Sequence, residues 1–275
     1  MGRFDGILIC TDLDGTLLKN DKSISEENRE AIEYFKREGG YFTFITGRMP
    51  FTSRILYDMI KPNAPIGCIN GGGIYDFERG EYLWSITLPR EYKELVEAVM
   101  DGVPGAGVIL DAHDKVYCCR DNEIVARHRR VTKTEHVFVD LETLEAPITK
   151  VVFGEAREEN IWRIAEILHS HPRSAEFDFI RSERALYEIL PKGSSKGNLL
   201  PRLAEILGVK MARTIAIGDY NNDVSMIRTA GVGIAVANAT EEAKVAADRI
   251  TVSNEESAIA RVIEEIERGE IVLGE

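Results

Sequence analysis

Two rhythms alternate along the chain. Short apolar runs cover residues 7–10, 41–46, 66–70, 214–217 and 233–236. Runs of that kind fill strands buried on both faces of a parallel sheet. Between them, apolar residues spaced by three and four predict helices. Ser23-x-x-Glu26 reads as a capping box ahead of a helix over residues 27–38, which shows Ala31, Ile32 and Phe35 on one side and stops at Gly39-Gly40. Another helix begins near Pro50, a favoured first-turn residue. A later one, over 196–207, aligns Leu199, Leu200, Leu203 and Leu207. Helices over 224–230 and 241–246, and a last one near 257–268, complete the series.

From about Glu81 the rhythm changes. A helix over 91–100, with Leu95, Val96 and Val99 on one face, is followed by short strands at 108–111 and 115–119 and a basic helical piece near 122–130. A strand at 148–154, a helix at 158–170 and a hairpin from 176–180 and 186–190 come next. After Pro191 strand–helix alternation resumes. The order predicts an α/β core built on a doubly wound, parallel, Rossmann-like sheet and interrupted by an α+β module on an antiparallel sheet. The expected core is 1–80 with 190–275, and the insertion is 81–189, with linkers near 78–82 and 190–193. No repeat or low-complexity tract interrupts this pattern.

Composition narrows the function. With 275 residues, 44% hydrophobic and 29% charged, the chain suits one large or two ordinary globular domains. Its 34 basic and 46 acidic residues give a net charge of −12 at pH 7. That balance opposes a nucleic-acid or anionic-membrane partner. No apolar stretch approaches the roughly 20 residues of a membrane helix. The first apolar run is short and meets Asp12, unlike a signal peptide, and Gly6 stands where a myristoylation motif wants serine or threonine. Cys10, Cys68, Cys118 and Cys119 lie in strand-like segments without metal-ligand spacing, and adjacent Cys118 and Cys119 should face opposite ways. Buried thiols and a cytoplasmic location are the expectation.

Candidate chemistry gathers where strands end. The first run delivers Asp12-Leu13-Asp14-Gly15-Thr16, two carboxylates one residue apart and expected on the same side, beyond the carboxyl end of a strand where open α/β sheets meet ligands. Such a pair needs a cation or a shared proton. Gly218-Asp219-Tyr220-Asn221-Asn222-Asp223 repeats the logic after residues 214–217. A calcium-loop reading fails there, because Val224 replaces the required glycine and Ala230 the bidentate glutamate. Asp223 also reads as a plain helix cap. Thr46-Gly47-Arg48 closes another strand and offers a hydroxyl and free N–H groups to an anion. Lys196 sits at a helix N-terminus against the helix dipole, a placement that points to function. The five histidines (His113, His128, His136, His169 and His171) read as structural. Arg127, Arg129 and Arg130 with His128 form either a solvated face or a phosphate contact.

Asp12-x-Asp14-Gly15-Thr16, Thr46, Lys196 within Ser194-Ser195-Lys196-Gly197, and Gly218-Asp219…Asn222-Asp223 together resemble the four motifs of the haloacid dehalogenase-like phosphohydrolases. The bordering residues Gly47-Arg48, Asn70-Gly71, Glu188-Ile189 with Pro191, and Met226 look like the Cof-type branch, which carries an α/β cap of type IIB between its second and third motifs. The tail 253–258 departs from that branch, which often has Asp-Gly before its last helix.

The resemblance implies roles. Asp12 would be the nucleophile that forms an aspartyl-phosphate, and Asp14 the acid and base toward leaving group and water. Lys196, Thr46, Gly47 and Asn222 would hold the transferring phosphoryl group. Mg²⁺ would be the cofactor, bound by Asp12, the Asp14 carbonyl and Asp219, with Asp223 acting through water. Arg48, Asn70 and Gly71 become candidate substrate contacts, and the cap would select the leaving group. Cation, lysine and helix N-termini would make a phosphate site locally positive in an acidic protein. The expected function is hydrolysis of small phosphorylated metabolites, either sugar phosphates or cofactor phosphates. The alternatives are a phosphotransferase or phosphosugar mutase using the same chemistry, and a non-catalytic phospholigand sensor.

Overall fold

The computed structural model describes residues 2–274. The chain opens with β1 (Leu8–Thr11), α1 (Glu26–Arg37), β2 (Tyr41–Phe44), α2 (Pro50–Ile60), β3 (Ile66–Cys68), β4 (Gly73–Asp76) and β5 (Glu81–Ser85). The middle contains α3 (Tyr92–Gly102), β6 (Gly107–Ala112), β7 (Val116–Arg120), α4 (Glu123–Thr132), β8 (His136–Phe138), β9 (Ile148–Gly154), α5 (Glu158–Ser170), β10 (Phe177–Glu183) and β11 (Leu186–Pro191). It closes with α6 (Lys196–Leu207), β12 (Thr214–Gly218), α7 (Val224–Thr229), β13 (Val232–Ala235), α8 (Glu241–Ala246), β14 (Arg249–Ile250) and α9 (Ala258–Glu267). No helix among the described residues is long and apolar enough to cross a membrane.

The chain divides into two compact units. The first takes the stretch up to Gly47, Ile55–Trp84 and everything described from Ser195 onward. Its parallel sheet runs β14-β13-β12-β1-β2, so the two strands that carry the carboxylate motifs lie side by side at the centre. β1 and β12 are wholly buried, which explains their unbroken apolar character. Leu199, Leu200 and Leu203 of α6 pack on Leu8, Cys10 and Ala216 of these strands. Each large side chain buried this way contributes about 1.5–3 kcal/mol.

Three local readings need correction. α1 is capped by Ser25, whose Oγ accepts from Asn28 N at 3.2 Å, not by Ser23, whose hydroxyl bonds Asp21 instead. The helix runs Glu26–Arg37, one residue earlier at each end than the expected 27–38, with Ile24 buried just ahead of the cap. The expected strand 66–70 stops at Cys68, because Ile69 and Asn70 adopt left-handed conformations with φ of 58° and 50°. Ile69 is apolar because this turn is itself buried. β3 then joins β4 and β5 in a separate small sheet, linked to the end of β2 by the single bridge Ile45–Gly67. In the tail, Ser257 takes φ 59° and its hydroxyl donates to Ser25 Oγ at 2.8 Å.

The second unit is Arg48–Arg54 with Ser85–Ser194. Its sheet runs β10-β11-β9-β6-β7-β8 and is antiparallel except for β8, an edge strand absent from the sequence reading that pairs parallel to β7. α3 and α5 cover one face through Leu95, Val96, Val99, Ile161 and Leu168. On the other face α4 sets Val125 against Ile109, Cys118 and Val152. Cys118 is buried there, while Cys119 packs on the opposite side, and all four cysteines are free thiols.

Candidate active site

The site of the first unit grows from the carboxyl ends of β1 and β12. The Asp12 N–H donates to Ile217 O at 2.8 Å, extending the β1–β12 pairing by one residue and fixing the Asp12 backbone beside the Gly218–Asp223 loop. Gly15 has φ +89°, and a Cβ there would stand 2.6 Å from Asp219 Oδ2. Only glycine lets the two motif loops approach this closely. Thr16 Oγ1 then donates to Asp219 Oδ1 at 2.7 Å, and the Asn238 amide donates to Gly15 O at 2.8 Å.

Lys196 is the first residue of α6, behind the N-cap Ser195. Its side chain is wholly buried, and Nζ donates to Asp12 Oδ1 at 2.5 Å and Asp223 Oδ1 at 2.6 Å. The opposing helix dipole, worth a few tenths of a kcal/mol, is outweighed by two buried charge-assisted hydrogen bonds. Asp223 does not cap α7. Its Oδ2 accepts from the backbone N–H groups of Asp219 and Tyr220 at 3.0 and 3.1 Å, closing the loop on itself. Two glycines bring α6 in. A Cβ on Gly71 (φ +97°) would lie 2.1 Å from Ser195 O, and one on Gly197 would lie 2.5 Å from Ser225 O.

Beside this cluster, Asn222 Nδ2 donates to Asn70 Oδ1 at 3.0 Å, and the Asn70 N–H donates to Thr46 O at 3.1 Å. A Cβ on Gly47 would meet Asn70 Oδ1 at 2.8 Å, so Thr46, Gly47, Asn70 and Asn222 form one continuous polar ridge. The extended run ends at Thr11, and the Asp14 carboxylate pairs with Lys22 at 2.8 Å. Its charge still bears on Asp12.

Charge balance decides what the cluster can hold. Asp12, Asp219 and Asp223 each offer a carboxylate oxygen, and these lie within 4.8 Å of one another. Burial, the dominant cause, pushes Asp12 well above the ordinary carboxylate range; Lys196 opposes it, and the neighbouring carboxylates reinforce it. Burial and Asp223 likewise push Asp219 up to about 7. Lys196 is raised by its two carboxylates and stays protonated. One ammonium against three converging carboxylates leaves negative charge unbalanced. An all-oxygen donor set of this kind fits a hard divalent cation.

The structure thus joins Asp12, Lys196, Asp219 and Asp223 in one cluster and Thr46, Gly47, Asn70 and Asn222 in a second. Gly71 serves the seat of α6, and Arg48 belongs to the second unit. The basic helix is divided: Arg127 and Arg130 are exposed, Arg129 pairs with Asp121 at 3.1 Å, and His128 is held neutral, its pKa lowered to about 3 chiefly by burial. The sequence reading missed the orienting roles of Thr16, Asn238 and Ser225. Only the presence of Thr16 in the first motif signals any of them.

The chain matches the family of haloacid dehalogenase-like hydrolases over residues 9–263. It is 32% identical to the 5-amino-6-(5-phospho-D-ribitylamino)uracil phosphatase YitU of Bacillus subtilis, across 94% of this chain and 96% of that protein. A crystal structure of a haloacid dehalogenase-like hydrolase from Bacteroides thetaiotaomicron superposes with a TM-score of 0.81 at 28% identity, covering 94% of this chain and 99% of that one. The subclass IIB sugar phosphatase BT4131 shares the fold, with a TM-score of 0.82 at 22% identity over 95% and 99% of the two chains. The chain therefore belongs to the haloacid dehalogenase-like hydrolases. It is an enzyme of their phosphatase type.

Proposed function

We propose that the protein is a Mg²⁺-dependent phosphatase of small phosphomonoesters with hydroxyl-rich leaving groups, such as sugar or ribityl phosphates. The observation that carries this is the buried Asp12–Lys196–Asp223 cluster with Asp219 held against it by Thr16. The ribityl-phosphate substrate in the name of YitU supports the leaving-group class. In this reading the first unit is catalytic and the second selects the substrate.

An Asp12 carboxylate oxygen attacks phosphorus, so an Asp12–phosphorus bond forms as the bond to the leaving oxygen breaks. Asp14 gives that oxygen its proton, then takes one from the water that attacks phosphorus and releases inorganic phosphate. Lys196 offsets charge on Asp12 and on the transferring group, while Thr46, Gly47 and Asn222 donate to the phosphoryl oxygens. Asp12, the Asp14 carbonyl and Asp219 would hold Mg²⁺, which when bound supplies positive charge to the developing phosphoryl transition state. Asp223, whose oxygens are engaged by Lys196 and two N–H groups, would reach it through water. Arg48, Asn70 and Gly71 complete the proposed substrate surroundings.

Phosphate release from a panel of phosphomonoesters, with Mg²⁺ and with EDTA, tests this reading. Metal-dependent release that vanishes in Asp12→Asn, with oxygen from labelled water appearing in the phosphate, is expected. Transfer to an added alcohol without phosphate release would sink hydrolysis in favour of phosphotransfer.

A further inference from the structure

The chemistry above leaves two features of the first unit unused: the Asp14–Lys22 ion pair and the tail 253–258, whose sequence departs from the Cof-type pattern. They meet on one loop. After Gly15 the chain buries Leu17 and Leu18 and then turns back over residues 19–23. The Lys19 N–H donates to Ser23 O and the Lys22 N–H to Lys19 O, both at 2.9 Å. Asp21 Oδ1 accepts from the Ser23 N–H at 2.8 Å and from its hydroxyl at 2.6 Å. This closed turn brings Lys22 back to Asp14, eight residues earlier, where Nζ donates to Oδ1 at 2.8 Å.

The tail fixes the loop from outside. Ser253 and Glu256 bond reciprocally in a capping box, which steadies the turn between them. Asn254, buried in that turn, donates from Nδ2 to Leu18 O and from its N–H to Asn238 Oδ1, each at 2.9 Å. Asn238 in turn holds Gly15 O. Glu255 Oε1 accepts from the Asn20 N–H at 2.8 Å. The loop is therefore pinned at Gly15, Leu18 and Asn20 before Lys22 reaches back to the carboxylate.

Stability does not account for a lysine at this place. Lys22 has φ +68°, a conformation that glycine adopts freely and that strains any residue with a Cβ. Its side chain is 56% exposed, and an ion pair that open to water returns less than the strain costs. We propose that Lys22 is a positioning residue for the reaction. It holds the Asp14 carboxyl group in the direction from which Asp14 hands a proton to the leaving oxygen, and Asn254 and Glu255 fix the loop that carries it. This inference rests on the acid–base role of Asp14 in the phosphatase reading of the first unit. A general acid matters in proportion to the leaving group's need for a proton. Misplacing Asp14 therefore slows alkyl esters, whose alkoxide must be protonated, and spares an ester whose nitrophenolate leaves unaided.

The test compares kcat/KM, which reports the steps up to departure of the leaving group, on three alkyl esters and one aryl ester. The alkyl esters are glucose 6-phosphate, ribitol 5-phosphate and glycerol 3-phosphate, and the aryl ester is 4-nitrophenyl phosphate. Lys22→Met keeps the stem and removes the charge. It should lose about tenfold or more on the alkyl ester that wild type uses best, and stay within about twofold on the aryl ester. Lys22→Arg should return the alkyl ester to within about threefold of wild type, and both variants should melt within about 2 °C of it. An equal loss on both kinds of ester, no loss on either, or an arginine variant as slow as the methionine one overturns the proposal. Asp14→Asn separates the inference from the reading beneath it, and should split the esters in the same sense by about 100-fold or more. If Asp14→Asn shows no split, or wild type releases phosphate from no ester, the acid–base reading falls and the proposal with it. If Asp14→Asn splits the esters and Lys22→Met does not, the role of Lys22 alone is overturned.

Discussion

Lys196 settles how the buried charges of the first unit coexist. One ammonium bridges Asp12 and Asp223, and Asp223 passes the constraint through two backbone N–H groups to the loop that carries Asp219. Asp12→Asn keeps the shape and an acceptor for Lys196 but removes the proposed nucleophile. Turnover should fall by more than about 1000-fold, with the melting temperature within a few degrees of wild type. Lys196→Ala is a different kind of change, since it strands two buried carboxylates and should destabilise the protein by about 3–5 kcal/mol as well as abolish activity. Denaturant unfolding beside steady-state kinetics distinguishes the two variants. Thr16→Val removes only the hydroxyl that aims Asp219. The Mg²⁺ concentration for half-maximal rate should rise several-fold, while stability drops by about 1 kcal/mol.

At the scale of elements, the seat of α6 depends on a missing side chain. Gly71→Ala would force a Cβ to within 2.1 Å of Ser195 O at a φ of +97°. We expect a loss of at least about 2 kcal/mol and a displaced Lys196, read together as a lower melting temperature and lower kcat. The second unit's sheet predicts opposing pH effects. Asp111 titrates near 6 when folded, above its unfolded value, so it contributes stability that is full at low pH and is lost as pH rises from about 4 through 6. His128 is depressed to about 3, so the stability it contributes is present above about 6.5 and is lost as pH falls from there toward 3. Asp111→Asn should therefore steepen the rise of stability with pH across that window, and His128→Gln should flatten it; chemical denaturation at stepped pH reads both slopes. Much of this architecture was legible in the chain. Apolar runs ending in glycine and carboxylate mark β1 and β12 because such strands tolerate nothing polar until their ends. The capping of α1 was misread because only Ser23 has a glutamate three residues on, whereas Ser25, followed by Asn28, caps the helix through its hydroxyl alone. The turn at Ile69 was hidden because burial demands an apolar residue there whatever its backbone does. Contacts such as Thr16–Asp219, and the Asp111–Lys150–Glu188 ion pairs assembled by strand register, join residues far apart in sequence and leave no local trace.

For the whole molecule, a net charge of −12 repels a dianionic substrate at long range. The attractive charges are buried in the site and act only at contact. Raising ionic strength from about 10 to 150 mM shortens the screening length to about 8 Å, and kcat/KM for a phosphomonoester at saturating Mg²⁺ should rise modestly, by up to about twofold. An electrostatically steered enzyme would slow down instead. The contacts that seat α6 carry a further consequence. Lys196 follows directly on the end of the long middle segment, yet its helix is clasped by Gly71 and Ser225, which both belong to the first unit. Lys196 is thus indexed by its own scaffold and not by whatever chain arrives before it. The first unit keeps Lys196, Asp12 and Asp223 in register through contacts of its own, whatever the length of chain that separates Trp84 from Ser195.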